Sequence, residues 1–533
     1  MRRYSLYGGL ILLGLLAAMI PVSAQAASLL MNPGFELDAA GQNQNLVGWT
    51  LYGPNNYNET GGPAHSGTNY FKVYQGFSGA INYSGIFQDY ISGPGAVYAA
   101  DGWAYTAAGD ALTGQNAAWI EVSFRDASGT NVLALYRSSL ITTNGLQSGA
   151  FPKSAWVDLP VTNQYNPNSF QITNTSATLT APAGTYFVRY QLVFQGDAAN
   201  SAGSVYFDDV NLSQTGGAPY GNWNIVWSDE FNGGAMNPAV WTYDLGTGCP
   251  NCGWGNNELE YYTNRVTNVY LAGGLLHIAA RKESLGGQNY TSARVKSQGL
   301  FSFKYGRLEW RARLPAGVGC WPALWLLGTN ITSVSWPGCG EIDVVENNGS
   351  NLGTVQGSLH SGTDETGYYN FLPGDSATNF HAFTLDWNTN ALLFYVDGHL
   401  YQSQTSWGTS LSGQSYPFPF DQPFFIIMNL AIGGNYLGNP TMNAINAGTV
   451  FPAEMQVDYV RIYNQTAPLK ISLTQTNGGL KLSWPGNIVC HLQAQSAALN
   501  RGLAATWIDL TNSAPPVMVL PTNTAIFYRL ASP

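Results

Sequence analysis

Apolar and polar residues alternate with a period of two through much of the chain. In Ala118-Trp119-Ile120-Glu121-Val122-Ser123-Phe124 and again in Tyr186-Phe187-Val188-Arg189-Tyr190-Gln191-Leu192, every second side chain suits a core, as in half-buried β-strands. Gly, Asn and Pro punctuate these runs, so residues 28–215 predict a β-sandwich. Thr215-Gly216-Gly217-Ala218-Pro219 has the composition of a linker, and the apolar segment from Trp223 to Phe231 opens a second unit that continues to about Tyr463. Beyond Gln465-Thr466-Ala467-Pro468 the strand pattern returns in Leu480-Lys481-Leu482-Ser483-Trp484 and Ile526-Phe527-Tyr528-Arg529-Leu530.

Length supports this division, because 533 residues exceed what one core holds and roughly two to four domains are expected. The boundaries read as 28–215, 222–464 and 468–533. Ahead of them, Arg2 and Arg3, the apolar run from Leu10 to Ile20 and the small-residue site Ala24-Gln25-Ala26 make residues 1–26 a signal peptide. The run is shorter than the ~20 apolar residues that span a bilayer. The mature chain is therefore expected to be secreted, periplasmic or on the cell surface, with no membrane span.

Charge narrows the partners. Loss of Arg2 and Arg3 takes the formal net charge from −10 to −12, which argues against nucleic acid and anionic membranes. Charged residues make up only 10% of the chain and aromatics 13%, a balance that fits turn-rich β structure with rings free to stack on sugars. A monomer is expected.

Chemistry is concentrated in Gly340-Glu341-Ile342-Asp343-Val344-Val345-Glu346, a β-branched run carrying three acids. Glu341 and Asp343 share a strand face, whereas Glu346 falls on the opposite one in a regular strand. A β-bulge near Val344-Val345 would restore it to the face of the other two. Three carboxyls on one face repel unless one keeps a proton. Glycoside hydrolysis uses such a set: one carboxylate attacks the anomeric carbon or activates water, and a protonated neighbour donates to the departing oxygen.

Flanking segments extend the pattern: Trp321-Pro322-Ala323-Leu324-Trp325-Leu326-Leu327, Gly253-Trp254-Gly255-Asn256-Asn257-Glu258-Leu259-Glu260-Tyr261-Tyr262-Thr263, Ser228-Asp229-Glu230-Phe231, Tyr305-Gly306-Arg307-Leu308-Glu309, His360 and Phe424 through Gly434. Together they resemble glycoside hydrolase family 16 over about residues 222–464. The resemblance implies an all-β, concanavalin-like jelly-roll of two curved sheets, with retention of anomeric configuration. It makes Glu341 the nucleophile, Glu346 the acid/base and Asp343 the residue that tunes the pair. The segments Asn257 to Tyr262 and Tyr290-Thr291-Ser292-Ala293-Arg294 resemble the laminarinase branch, which implies an endo-β-1,3-glucanase acting on a β-glucan such as laminarin. Agarase or carrageenase activity within the same family, and a lectin-like protein that binds glucan without cutting it, are the alternatives.

The same resemblance implies that Trp321 and Trp325 wall the sugar beside the cut and that Asn257, Arg294 and His360 hydrogen-bond nearby. It implies no catalytic metal. A structural calcium ion is implied at Glu230, the backbone at Gly274 and Asp458, and another at Glu36 with Asp208. Met31-Asn32-Pro33-Gly34-Phe35-Glu36, Gly48-Trp49 and Val205 through Leu212 resemble carbohydrate-binding modules of the family 4 and 9 type. Cys249 and Cys252 form a C-x-x-C pair without a second close pair for zinc. Disulfides among Cys249, Cys252, Cys320 and Cys339 are expected, with three pairings open and Cys490 left over.

Overall fold

The computed structural model describes residues 28–38, 46–60, 62–147, 149–217 and 223–465, together with 472–476, 479–483, 491–496, 508–509, 517–519 and 526–531. The signal-peptide segment and Cys490 lie outside the described residues. Among the described residues, no helix is long and apolar enough to cross a membrane.

The first module is a sandwich of two antiparallel sheets. In one, the Ser204–Gly216 strand lies between Val97–Tyr105 and Asn69–Tyr74. In the other, Phe187–Gly196 lies between Asn82–Ile91 and Ala117–Arg125. The alternation in the sequence decides what faces inward: Ile120, Val122 and Phe124 meet Tyr190, Leu192 and Phe194 in one core with Val205, Phe207 and Leu212. Thr215 and Gly216, which have the composition of a linker, continue the last strand of this sandwich, because Gly216 still pairs with Val97 across a bulge at Thr215.

The second module stacks two larger sheets. Seven strands form one of them, in the order Thr242–Asp244, Arg294–Lys296, Phe424–Ile432, Cys320–Gly328, Glu341–Glu346, Thr354–His360 and Asp364–Asn370. The opposing sheet is built around Gly306–Arg313, which pairs with His381–Trp387 and Ala453–Gln465. Phe424–Ile432 is buried along its whole length, as an apolar run interrupted only by Asn429 requires of a central strand. Phe424, Ile426, Met428, Leu430 and Ile432 enter the main core, while Phe425 and Ile427 pack on the other face with Leu327 and Cys339. The result is the two-sheet jelly-roll expected from the sequence.

The two modules share an apolar junction. Ile91, Ala127 and Phe187 of the sandwich bury against Ala391, Leu393 and Tyr395 of the second module. Tyr90 pairs with His399, and the Ile91 N–H donates to the Gly398 carbonyl at 2.6 Å. Below this contact, Arg307 and Asp386 form a fully buried ion pair with bonds of 2.6 and 2.9 Å, and Arg307 also donates to the Ser92 carbonyl at 3.2 Å. A buried charge needs every such partner, so the bond from Arg307 to Ser92 ties the second module to the first.

Cys249 and Cys252 are joined as a disulfide, and Cys320 and Cys339 are buried free thiols. Burial pushes both thiols up to about 12, with the Glu341 carboxyl adding to the effect at Cys339. Among the described residues beyond 471, short strands form two three-stranded sheets, one around Gly479–Ser483 and one around His491–Ser496.

Candidate active site

Glu341, Asp343 and Glu346 lie on one face of the Glu341–Glu346 strand, and a bulge makes this possible. On one side Leu324 pairs with Val345 and Trp325 with Asp343, so Val344 is skipped. On the other side the register shifts between Asp343 opposite Ser358 and Glu346 opposite Gln356. Val344 and Val345 both enter the core. The extra residue turns Glu346 back to its fellow acids, as the parity argument expects.

Neighbouring strands fix each carboxyl. Oε1 of Glu346 accepts from the Trp321 indole N–H at 2.9 Å, and Oε2 accepts from the Gln356 amide at 3.0 Å. Asp343 lies 3.2 Å from His360 Nε2, and the other ring nitrogen is 2.7 Å from Asp364. Oxygens of Glu341 and Asp343 and a nitrogen of His360 come within 4.8 Å of one another.

Burial raises all three carboxyls. Glu346 is pushed up to about 7, first by burial and then by the charge of Asp343, with the Trp321 and Gln356 donors opposing. Glu341 is held well above the usual carboxylate range by burial and the Asp343 charge, with His360 opposing and Glu346 adding. Burial also raises Asp343 against the pull of His360. Acids this close titrate together, so the cluster retains a proton near neutral pH. Burial works against the charge of His360, but the hydrogen bond and charge of Asp343, joined by Glu341 and Asp364, prevail and raise it to about 10. The ring is a resident cation.

Aromatic walls stand on one side of the acids. Trp321 stacks on Tyr436 at 5.0 Å. Trp325 donates its N–H to Asn429 Oδ1 at 2.7 Å, and Asn429 donates in turn to the Tyr262 hydroxyl at 3.1 Å. Tyr262 then donates to Glu258 at 3.0 Å. Next to this chain Glu260 is fully buried, and burial followed by the nearby Glu258 charge raises it well above the usual carboxylate range. Arg294 lies over the Trp325 ring at 4.7 Å and the Trp254 ring at 4.9 Å, with Asp244 3.1 Å from its Nε. Asn257 holds the rim by donating to Asn435 at 2.7 Å.

Glu341, Asp343, Glu346 and His360 thus come together, with Trp321 and Trp325 on the neighbouring strand, Arg294 over Trp325, and Asn257 bonded to Asn435. Gln356, Asn429, Tyr262, Tyr436 and Asp364 are additions. Gln356 lies four residues before His360 on one strand, so strand parity places it on the same face as that residue.

The calcium set implied at Glu230, Gly274 and Asp458 does not fit as it stands. Both Glu230 oxygens accept from Arg461, at 2.9 and 2.8 Å, and Asp458 pairs with Arg311. Gly274 belongs to a tight Gly273-Gly274 turn with φ of 61° and 77°. Guanidinium groups occupy the carboxylates that a hard cation would need. In the sandwich, Glu36 accepts from the Thr68 and Asn69 backbone N–H groups, and Asp208 from those of His65 and Ser66.

Residues 251–461 match the family model described as Glycosyl hydrolases family 16. The chain is 41% identical over 257 residues to the Beta-glucanase of Rhodothermus marinus, covering 45% of this chain and 85% of the relative. It is 35% identical over 257 residues to a Glucan endo-1,3-beta-glucosidase of Cryptopygus antarcticus, covering 45% of this chain and 92% of that protein. To Glucan endo-1,3-beta-glucosidase A1 of Niallia circulans it is 35% identical over 302 residues, which span 53% of this chain and 44% of that relative.

Proposed function

Because the chain belongs to glycoside hydrolase family 16, the protonated acid cluster has a reaction to perform, and we infer that it is a secreted, retaining endo-β-1,3-glucanase. One observation carries this reading: the bulged strand aims three carboxyls at one spot, with Glu346 near 7 and fastened to Trp321.

The coupled acids share a proton, and the form that reacts is the one in which Glu341 is ionised and Glu346 holds it: in the first step the Glu341 carboxylate attacks the anomeric carbon while the Glu346 carboxyl gives its proton to the departing glycosidic oxygen. The sugar is then esterified to Glu341, and Glu346 is left as the base. In the second step Glu346 takes a proton from water, whose oxygen displaces Glu341 on the face that keeps the original configuration. Asp343 and the His360 cation hold the negative charge of the cluster between these two glutamates. Trp321 and Trp325 offer flat faces to the sugar, while Arg294 and Asn257 offer donors.

The β-1,3 specificity rests on the names of the relatives and on the Asn257 to Tyr262 segment. Secretion is supported by the leader-like residues 1–26 and by the Cys249–Cys252 disulfide, which suits an oxidising compartment. Product analysis on laminarin, mixed-linkage β-glucan, agarose and carrageenan tests the reading, with Glu341→Gln as the blank. Oligosaccharides from laminarin that are absent with the blank are expected. Cleavage of agarose or carrageenan alone would move the substrate within the family, and binding without cleavage would favour a glucan-binding protein.

A further inference from the structure

A groove of about 620 Å³ runs between the modules where the Asp364–Asn370 edge of the seven-stranded sheet meets the sandwich. Tyr368, Asn370 and Pro373 line it from the second module with His399, and Thr50 and Phe87 from the first.

Tyr368 belongs to the groove and to the catalytic row at once. Glu346 pairs with Gln356, and Gln356 pairs with Tyr368. Cross-strand partners share a face, so Tyr368 stands two strand spacings, about 10 Å, from the acid/base glutamate. Tyr368 is 60% exposed. A chain that leaves the acids along this row has Tyr368 as its next surface and the groove directly beyond.

The groove walls carry the chemistry of a sugar site. Rings come from Tyr368 and Phe87, and an exposed amide comes from Asn370. The half-buried ring of His399 adds to the wall. Burial lowers that ring to about 4, so it is neutral. Asp89, which also lines the groove, is matched by two 2.7 Å bonds from Arg189. Such a surface, flat, hydrogen-bonding and electrically balanced, suits a neutral chain rich in hydroxyls. The junction of Ile91 and Phe187 with Leu393 and Tyr395 keeps the two walls in register.

We propose that this groove is a distal binding site for the polysaccharide being cut, so that a long chain is held by both modules while its scissile bond lies at Glu341 and Glu346. The proposal rests on the glucanase reading above. It is tested by comparing kcat/KM on laminarin with that on a short laminari-oligosaccharide, for the wild type, Tyr368→Ala and Thr50→Trp. Thr50 is exposed on the sandwich wall, so Thr50→Trp blocks the groove without approaching the acids. Both variants are expected to lose about fivefold on laminarin, the loss of one ring contact or its equivalent, and Thr50→Trp to cleave the short substrate as the wild type does. An active wild type whose Thr50→Trp variant keeps its full preference for the long substrate would overturn the groove alone. So would a Tyr368→Ala loss that is equal on both lengths. A wild type inert on both would overturn the glucanase reading and the groove with it.

Discussion

Nε2 of His360 stands 3.2 Å from Oδ2 of Asp343. With Asp364 on the opposite nitrogen, the ring donates on both sides and remains charged until the pH approaches about 10. It opposes the rise of every acid in the cluster. Replacement by a neutral side chain in His360→Gln therefore raises the acids further. The acidic limb of the kcat/KM profile, where the nucleophile must lose its proton, should move upward by about one pH unit. The maximum should fall about tenfold. An unmoved limb in that variant would reduce His360 to a wall of the cleft.

The alkaline limb reports the acid. Glu346 must carry a proton to assist departure, so activity should decline as the pH rises through about 7. Gln356 donates to Glu346 and favours its anion. Gln356→Leu removes that donor, and the alkaline limb should shift to higher pH.

Stability should follow the same group with the opposite sense of benefit. The folded protein raises Glu346 from 4.5 to about 7, so the fold holds the proton more tightly than the unfolded chain does. Wild-type stability is therefore lost as the pH rises from the unfolded value through the folded one. Glu346→Gln escapes this cost. Its Tm should exceed that of the wild type above neutrality, by an amount equivalent to about 1–3 kcal/mol, and the difference should vanish below about pH 4. Thermal scans across pH measure both ends.

The Glu258–Tyr262–Asn429–Trp325 chain predicts a different signature. Tyr262→Phe deletes one hydroxyl and leaves two buried partners short of a bond, at a cost of about 1–3 kcal/mol. Trp325 loses its fixed orientation, so KM should rise several-fold while kcat changes less. Steady-state kinetics separate the two.

The acids were legible in the sequence because strand parity has a strict consequence: Glu346 reaches its neighbours only through an inserted residue, and Val344 and Val345 supply it. The two sandwiches were legible from alternation, as at Ile120, Val122 and Phe124. Tyr436 and Asn429 were not, because their strand or loop comes beside the acids only through pairing with Cys320–Gly328 and the Trp321 stack. The partners of two expected calcium donors were hidden for a similar reason. Sequence offers the carboxylates of Glu230 and Asp458 but not the arginines that face them. Nor does any local pattern announce that Ile91 and Leu393, 302 positions apart in the numbering, will share one patch.

Arg307 brings that last point to bear on the history of such a chain. Its guanidinium is wholly enclosed, paired to Asp386 of its own module and bonded to Ser92 of the other. A unit hung on a loose tether can be exchanged like a cassette, with little change to what remains. Here excision of the sandwich would bare Leu393 and Tyr395 and deprive an enclosed cation of one acceptor. The two modules are thus committed to each other, and recombination that keeps the enzyme working would have to carry them as one inheritable block.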